Sequence, residues 1–317
     1  MPYCLSLQSG VTRLSIAKIN NKEDIYLHEC DFESKPEIST TPGNKLLIFQ
    51  SFLRREKKLL KKDFDLLSNY YTNGYQEIDT IPKLDKLYEQ SLEYVTESLK
   101  RYMNFNDKTI LSPVLPKRSI RAYCSGLSGS GKSFYISKLI SENYAPETLI
   151  YLFSPVENDK AFERLNLFHI HLETFELDFG QPFDIDMLKR NDGEEGCIVL
   201  MDDVNTFTNP QIRKRYMDVQ NALLERGRHL DIQLTITVSH NPLAGNFSKA
   251  PLREAEYYIL FPSTNHRDSK VLLKTYTGLS QDEIDEILKL RTRGLIVKKS
   301  VPSYYVSDHN AAILGKM

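Results

Sequence analysis

The residues best suited to chemistry are Gly126-Leu127-Ser128-Gly129-Ser130-Gly131-Lys132-Ser133. They fit G-x-x-x-x-G-K-[ST], in which glycines let the backbone turn tightly and aim successive N–H groups at phosphate oxygens. Ala122-Tyr123-Cys124-Ser125 before them reads as a strand, and Phe134, Ile136, Leu139 and Ile140 after them fall at helical spacing. The positive end of that helix adds to the same anion site. On this reading Gly126 through Phe134 cradle a nucleoside triphosphate, taken as ATP. Lys132 pairs with the β- and γ-phosphates, and Ser133 holds Mg²⁺.

A second group lies further along. Cys197-Ile198-Val199-Leu200-Met201 is an apolar run ending in Asp202-Asp203, the pattern of a Walker B strand. Such a strand delivers its terminal carboxylate to the carboxyl edge of a parallel sheet, beside the phosphate loop. Asp202 is then the metal-side acid, directly or through water. Asp203 orients or deprotonates the attacking water. A third run, Ile232-Gln233-Leu234-Thr235-Ile236-Thr237-Val238-Ser239, is β-branched enough for a central strand and ends at His240-Asn241-Pro242. His240 or Asn241 is placed to contact the γ-phosphate or the lytic water. Two short matches are set aside. Asn21-Lys22-Glu23-Asp24 resembles a guanine-reading motif but precedes the phosphate loop. His266-Arg267-Asp268 resembles a kinase catalytic loop but has leucine at position 273, where a metal-binding asparagine is required. His169 and His171 share a strand face with no third metal ligand nearby.

The elements that must position these groups follow in order. Residues up to about 35 look β-rich, with alternation at Cys4–Leu7 and Leu14–Ile19 and a further strand at Ile25–His28. Lys45 to about Asn106 is helical in pattern and carries a basic run, Arg54-Arg55-Glu56-Lys57-Lys58 then Lys61-Lys62. That run is either a solvated helix face or a helix touching nucleic acid phosphates. Leu111 to Lys117 has two prolines and no period, and marks a boundary between an α+β domain at 1–112 and a larger domain at 113–317. Thr148–Phe153, Phe168–Leu172 and Tyr257–Phe261 read as further strands. Asp184–Arg190, Asn209–Arg228 (capped by Asn209), Ser269–Tyr276 and Asp282–Leu290 read as helices. Gly294–Lys298 and Ser303–Val306 read as a small closing hairpin. The whole is α/β with a mainly parallel central sheet.

With 41 Lys and Arg against 42 Asp and Glu, the chain is not a polycation, so any nucleic acid it handles must meet a local or multi-subunit field. The four cysteines form no C-x-x-C pair, which argues against zinc and against a disulfide framework. No signal peptide is read at the N-terminus, and no apolar run approaches the ~20 residues that span a bilayer.

Gly227-Arg228-His229 leading into Ile232–Ser239 and on to Pro242 resembles the helix-to-strand segment of viral genome-packaging ATPases of the FtsK–HerA superfamily, of the poxvirus, iridovirus and virophage kind. Arg293-Gly294-Leu295-Ile296-Val297 through Pro302–Val306 is similar to the final hairpin of that group. The resemblance covers about residues 118 to 310. It implies a RecA-like (ASCE) P-loop fold with an extra strand between the P-loop and Walker B strands. It also implies an ATP-driven translocase of double-stranded DNA, without sequence preference, acting as a pentameric or hexameric ring that fills a preformed capsid. Such a protein would work in the host cytoplasm or viral factory and at a capsid vertex. The resemblance further implies an arginine supplied in trans to the neighbouring nucleotide, with Arg228 as first choice, then Arg226 and Arg267. Asp203 departs from the glutamate common at its place. Residues 1–115 resemble no named family, and are read as docking on a capsid vertex or gripping DNA. Two other classes stand beside this one: a P-loop phosphotransferase acting on a nucleoside or other small molecule, and a nucleotide-gated structural protein.

Overall fold

The structure, a computed structural model, describes residues 3–6, 12–19, 23–31, 102–105, 109–116, 118–157, 159–189, 196–240 and 249–314. The expected helices between residues 45 and 101, the basic run within them and Asn241 lie outside the described residues.

The N-terminal part supplies β1 (Tyr3–Ser6), β2 (Thr12–Ile19), β3 (Glu23–Asp31), β4 (Tyr102–Asn104) and β5 (Thr109–Pro113). Four of these form an antiparallel sheet in the order β1-β3-β2-β5. Its register sets Cys4 opposite Cys30. Leu111 to Pro113, expected as an aperiodic boundary, continue β5 and pair with Ser15–Ala17. Glu23 and Asp24, expected in a turn, belong to β3. The remaining strand goes elsewhere: β4 joins the edge of the larger sheet, so the segment before position 112 reaches into both sheets.

The larger sheet uses β6 (Ile120–Ser125), β7 (Ile150–Phe153), β8 (Leu167–His169), β9 (Cys197–Asp202), β10 (Ile232–Ser239), β11 (Tyr257–Leu260), β12 (Leu295–Lys298), β13 (Ser303–Ser307) and β14 (Asn310–Leu314). Its order is β4-β14-β13-β12-β11-β6-β10-β9-β7-β8. From β11 to β8 every pairing is parallel, and from β11 to β4 every pairing is antiparallel. This is an α/β fold of the P-loop NTPase type, with β10 inserted between the P-loop strand and the Walker B strand. The closing hairpin is larger than its sequence suggests: β14 and β4 extend it. Alanine-rich Asn310–Leu314 carries little alternation from which to read a strand.

Parallel strands buried on both faces need apolar residues throughout. In β9, Ile198 and Leu200 join one core cluster while Cys197, Val199 and Met201 join another, the two-residue period placing them on opposite faces. The first cluster takes Ile136, Leu139 and Ile140 from α1 (Lys132–Asn143), and also Leu5, Leu14, Leu27 and Leu111 from the small sheet. The small sheet thus buries its apolar side in the same core as the phosphate-loop helix. The other face is covered by α3 (Pro210–Arg226), which follows the short α2 (Phe175–Phe179), and by α4 (Lys249–Glu254), α5 (His266–Tyr276) and α6 (Gln281–Lys289). Asn209 caps α3 as expected, accepting from the Gln211 and Ile212 N–H groups at 2.9 and 3.4 Å. The expected helix at Asp184–Arg190 is a single 3₁₀ turn, Ile185–Leu188. The short helices α2 and α4 escape sequence reading because one turn and a half carries no period.

Candidate active site

Four strands end at one edge of the sheet, and their last residues make the site. β6 runs straight into Gly126–Gly131, and α1 begins at Lys132. Gly129 and Gly131 have φ of 76° and 93°, the left-handed region that a glycine enters freely. Gly126 is required by space instead: a Cβ there would lie 2.6 Å from Ser130 Oγ and 2.9 Å from a Phe261 ring carbon. Lys132 is buried and curls back over the loop, donating to the carbonyls of Gly126 at 2.9 Å and Leu127 at 3.2 Å. The hydroxyls of Ser125 and Ser130 are buried with no hydrogen-bond partner among the described residues. Buried polar groups normally find partners, so these two hydroxyls are unsatisfied as the loop stands.

β9 brings Asp202 to the same edge. Asp202 is 8% exposed, and its carboxyl receives a long hydrogen bond of 3.5 Å from Ser154 Oγ, just past the end of β7. Burial pushes its pKa up to about 7; the neighbouring charge of Asp203 adds to this, and Lys132 opposes it. A cation beside such a carboxylate would restore its ionised form. Carboxylate and hydroxyl oxygens are the donors Mg²⁺ prefers, and Mg²⁺ commonly takes one or two protein oxygens with the rest from phosphate and water. By donor type, Asp202 with the hydroxyl of Ser133 would suit such a metal. Among the described residues no group of three or more His, Cys, Asp or Glu forms an all-protein metal cage.

Asp203 and His240 form one unit. Asp203 sits at φ 46°, unusual for a residue with a side chain, and its N–H donates to the Val238 carbonyl at 3.1 Å. Its Oδ1 accepts the His240 backbone N–H at 2.9 Å and lies 3.1 Å from His240 Nδ1. The second acid of β9 is thus tied to the end of β10. That pairing follows from the parallel register of the two strands, in which Asp202 faces Val238.

The candidate arginines are dispersed. Arg228 sits in the 3₁₀ turn Gly227–His229 that precedes β10, at the opposite edge of the sheet from the phosphate loop. Eight residues of β10 at ~3.3 Å each separate the two edges by about 25 Å. Arg228 there lines a cavity of about 540 Å³ together with Thr148, Gly196 and Gln233, all beside strand starts. It is not brought to its own chain's Lys132 and Asp202. Arg226 is held by Asp186 at 3.6 Å and Asp184 at 3.9 Å. Arg267 opens α5 just beyond β11, on the phosphate-loop side.

One arginine without a role in the sequence reading does reach the loop. The position that a Cβ on Gly131 would take is 3.0 Å from both Nε and Nη2 of Arg293. The same guanidinium lies 5.5 Å from the centroid of the Phe134 ring. Arg293 heads the final hairpin, and only the antiparallel pairing of β12 with β11 reveals that this hairpin starts beside the loop. Ser154 likewise carries no signal in the sequence, since a serine after an apolar strand is common.

No family model matches the chain. Over 197 residues, 61% of this chain and 76% of the relative, it is 28% identical to "Uncharacterized protein V3" of Sputnik virophage. Among solved structures it is similar to the genome packaging NTPase B204 of Sulfolobus turreted icosahedral virus 2, with TM-score 0.38 and 13% identity over 59% of this chain and 94% of that one. It is also similar to the pCW3 conjugation coupling protein TcpA, with TM-score 0.38 and 14% identity over 66% of this chain and 65% of that one. The fold assignment rests on the chain's own strand order and loop geometry.

Proposed function

We propose that this chain hydrolyses ATP with Mg²⁺ and uses the energy to move double-stranded DNA into a viral capsid. The observation that carries the hydrolytic part is the convergence of Lys132, Asp202, Asp203 and His240 at one sheet edge. Lys132 and the loop N–H groups hold the phosphates. Ser133 and Asp202 would hold Mg²⁺, which would neutralise charge on the transferring phosphoryl group. Asp203, held by the His240 backbone N–H and in contact with its imidazole, positions the attacking water and accepts its proton.

The translocating part is supported by the Gly227–Pro242 and final-hairpin resemblance, and a relative of the chain occurs in a virophage, a virus of the kind that resemblance names. In this reading subunits assemble as a ring, and Arg228, far from its own phosphate loop, serves the next subunit's nucleotide. DNA contacts are to phosphate, because a packaging motor must move any sequence. A basic patch repeated around a pore gives a strong field from a near-neutral chain. Residues 1–112 supply capsid docking or a DNA grip. Since the small sheet shares its core with α1, the grip is tested by charge reversal rather than by truncation. Converting Lys57, Lys58, Lys61 and Lys62 to glutamate should lower DNA affinity and flatten its salt dependence.

The deciding experiment is steady-state ATP hydrolysis by the full chain with and without long double-stranded DNA of unrelated sequences. Stimulation by every DNA is expected. Stimulation by a nucleoside, with no DNA effect, would sink the motor reading in favour of a phosphotransferase.

A further inference from the structure

We propose that Arg293, with Phe134, holds the nucleoside end of the bound nucleotide within the same chain: the guanidinium takes the α-phosphate and the Phe134 ring offers its face to the base. This rests on the nucleotide-binding reading above and adds to it the residues that set affinity.

Topology comes first. β6 has two neighbours in the sheet, β10 on one side and β11 on the other. Asp202, Asp203 and His240 lie at or just past the ends of strands on the β10 side. Arg293 arrives from the β11 side, at the head of β12. The reacting γ-phosphate must lie toward the hydrolytic groups, so a triphosphate threaded through the loop points its α-phosphate and nucleoside to the Arg293 side.

Electrostatics comes second. Arg293 lies against Gly131, the residue before Lys132, at the positive end of α1. A guanidinium there is disfavoured by the helix dipole. Among the described residues no carboxylate forms an ion pair with it. A phosphate oxygen reconciles these positive groups, and guanidinium matches phosphate geometry through paired N–H donors.

Anchoring comes third. The segment carrying Arg293 is tied on several sides. Thr292 Oγ1 donates to the Gly294 carbonyl at 2.8 Å and also lies 3.3 Å from Asp308 Oδ2. The Thr292 carbonyl accepts from Ser263 Oγ at 3.1 Å. Gly294 packs so closely on Tyr135 and Phe261 that a Cβ would come within 3.0 and 3.1 Å of their rings. The arginine is thereby held at the first turn of α1 before any ligand arrives. Phe134, on that turn, is 59% exposed, an open aromatic face beside a cation. Bases stack on such faces irrespective of hydrogen-bonding pattern.

The test is equilibrium titration of ATP and of ADP into the full chain, with steady-state kinetics in parallel, for wild type, Arg293→Ala, Arg293→Lys and Lys132→Ala. Arg293→Ala should weaken ATP and ADP alike, by about tenfold, as expected for one charge-assisted contact. KM should rise with Kd while kcat stays within about twofold, and Arg293→Lys should recover part of the affinity. Loss of ATP affinity alone would place Arg293 at the γ-phosphate and overturn the proposal. A fall in kcat with unchanged Kd, or no change in either, would also overturn it. Wild type binding neither nucleotide would instead bring down the hydrolytic reading as a whole. Wild type binding both, with Lys132→Ala binding neither, keeps that reading, and the Arg293 variants then decide the role of Arg293 alone.

Discussion

The two flanks of β6 are built differently. On the β10 flank, each group is the last residue of a buried strand or the one after it, and Asp203 and His240 are bonded to each other. On the β11 flank, Phe134 belongs to a helix, while Arg293 belongs to the loop before an antiparallel hairpin, and the two meet only in the folded chain. The first flank is stiff because central parallel strands cannot shift without breaking two ladders. The second is held by side-chain bonds and close packing around one segment. Chemistry that depends on placing a water needs the first kind of support, whereas affinity for a nucleoside is met by the second. Substitutions on the β10 flank should therefore lower kcat with little change in nucleotide affinity, and those on the β11 flank should do the reverse.

The largest effect should come from Asp203→Asn. Removing the proton acceptor while keeping the shape should cut kcat by about 10²–10³-fold in an ATPase assay, with ATP Kd unchanged within about twofold. A wild-type rate would remove Asp203 from the mechanism and favour a nucleotide-gated structural protein. His240→Ala should cost less, about tenfold in kcat, because the His240 backbone N–H continues to hold Asp203 when the imidazole is gone. If that variant instead loses ATP affinity with kcat retained, His240 belongs functionally with the binding flank and the contrast between the flanks fails. The smallest effect is assigned to Phe134→Ala, a rise of about fivefold in Kd for ATP, read by titration. Since Phe134 is exposed, the variant's melting temperature should match wild type, which separates loss of a stacking face from loss of fold.

The β10 flank is largely legible in the sequence. A glycine-rich loop, an apolar strand ending in Asp-Asp and a β-branched strand ending in histidine each announce their chemistry within a dozen residues. Their spatial union follows from the rule that parallel strands present their carboxyl ends to one edge. The Asp203–His240 bond is not legible, because it depends on the register between β9 and β10 and on a left-handed φ at an aspartate. Arg293 reads in the sequence as the head of a hairpin and nothing more, since nothing local marks which strand that hairpin will pair with. The choice of Arg228 comes from a resemblance, and the structure adds that it stands an entire strand length from its own Lys132.

By itself the sequence determined the local pieces: the glycine-rich loop with its phosphate-binding pattern, the strand that ends in carboxylates, the cap at Asn209 and the alternation that buries β9 on both faces. These depend on near neighbours and on periods of two or 3.6 residues. Tertiary structure decided what non-local pairing alone can decide. It set β10 between β6 and β9, sent β4 to the far edge of the main sheet, and buried the small sheet against α1. It also brought the guanidinium of Arg293 over Gly131, because strand pairing and close packing join residues that no sequence window contains.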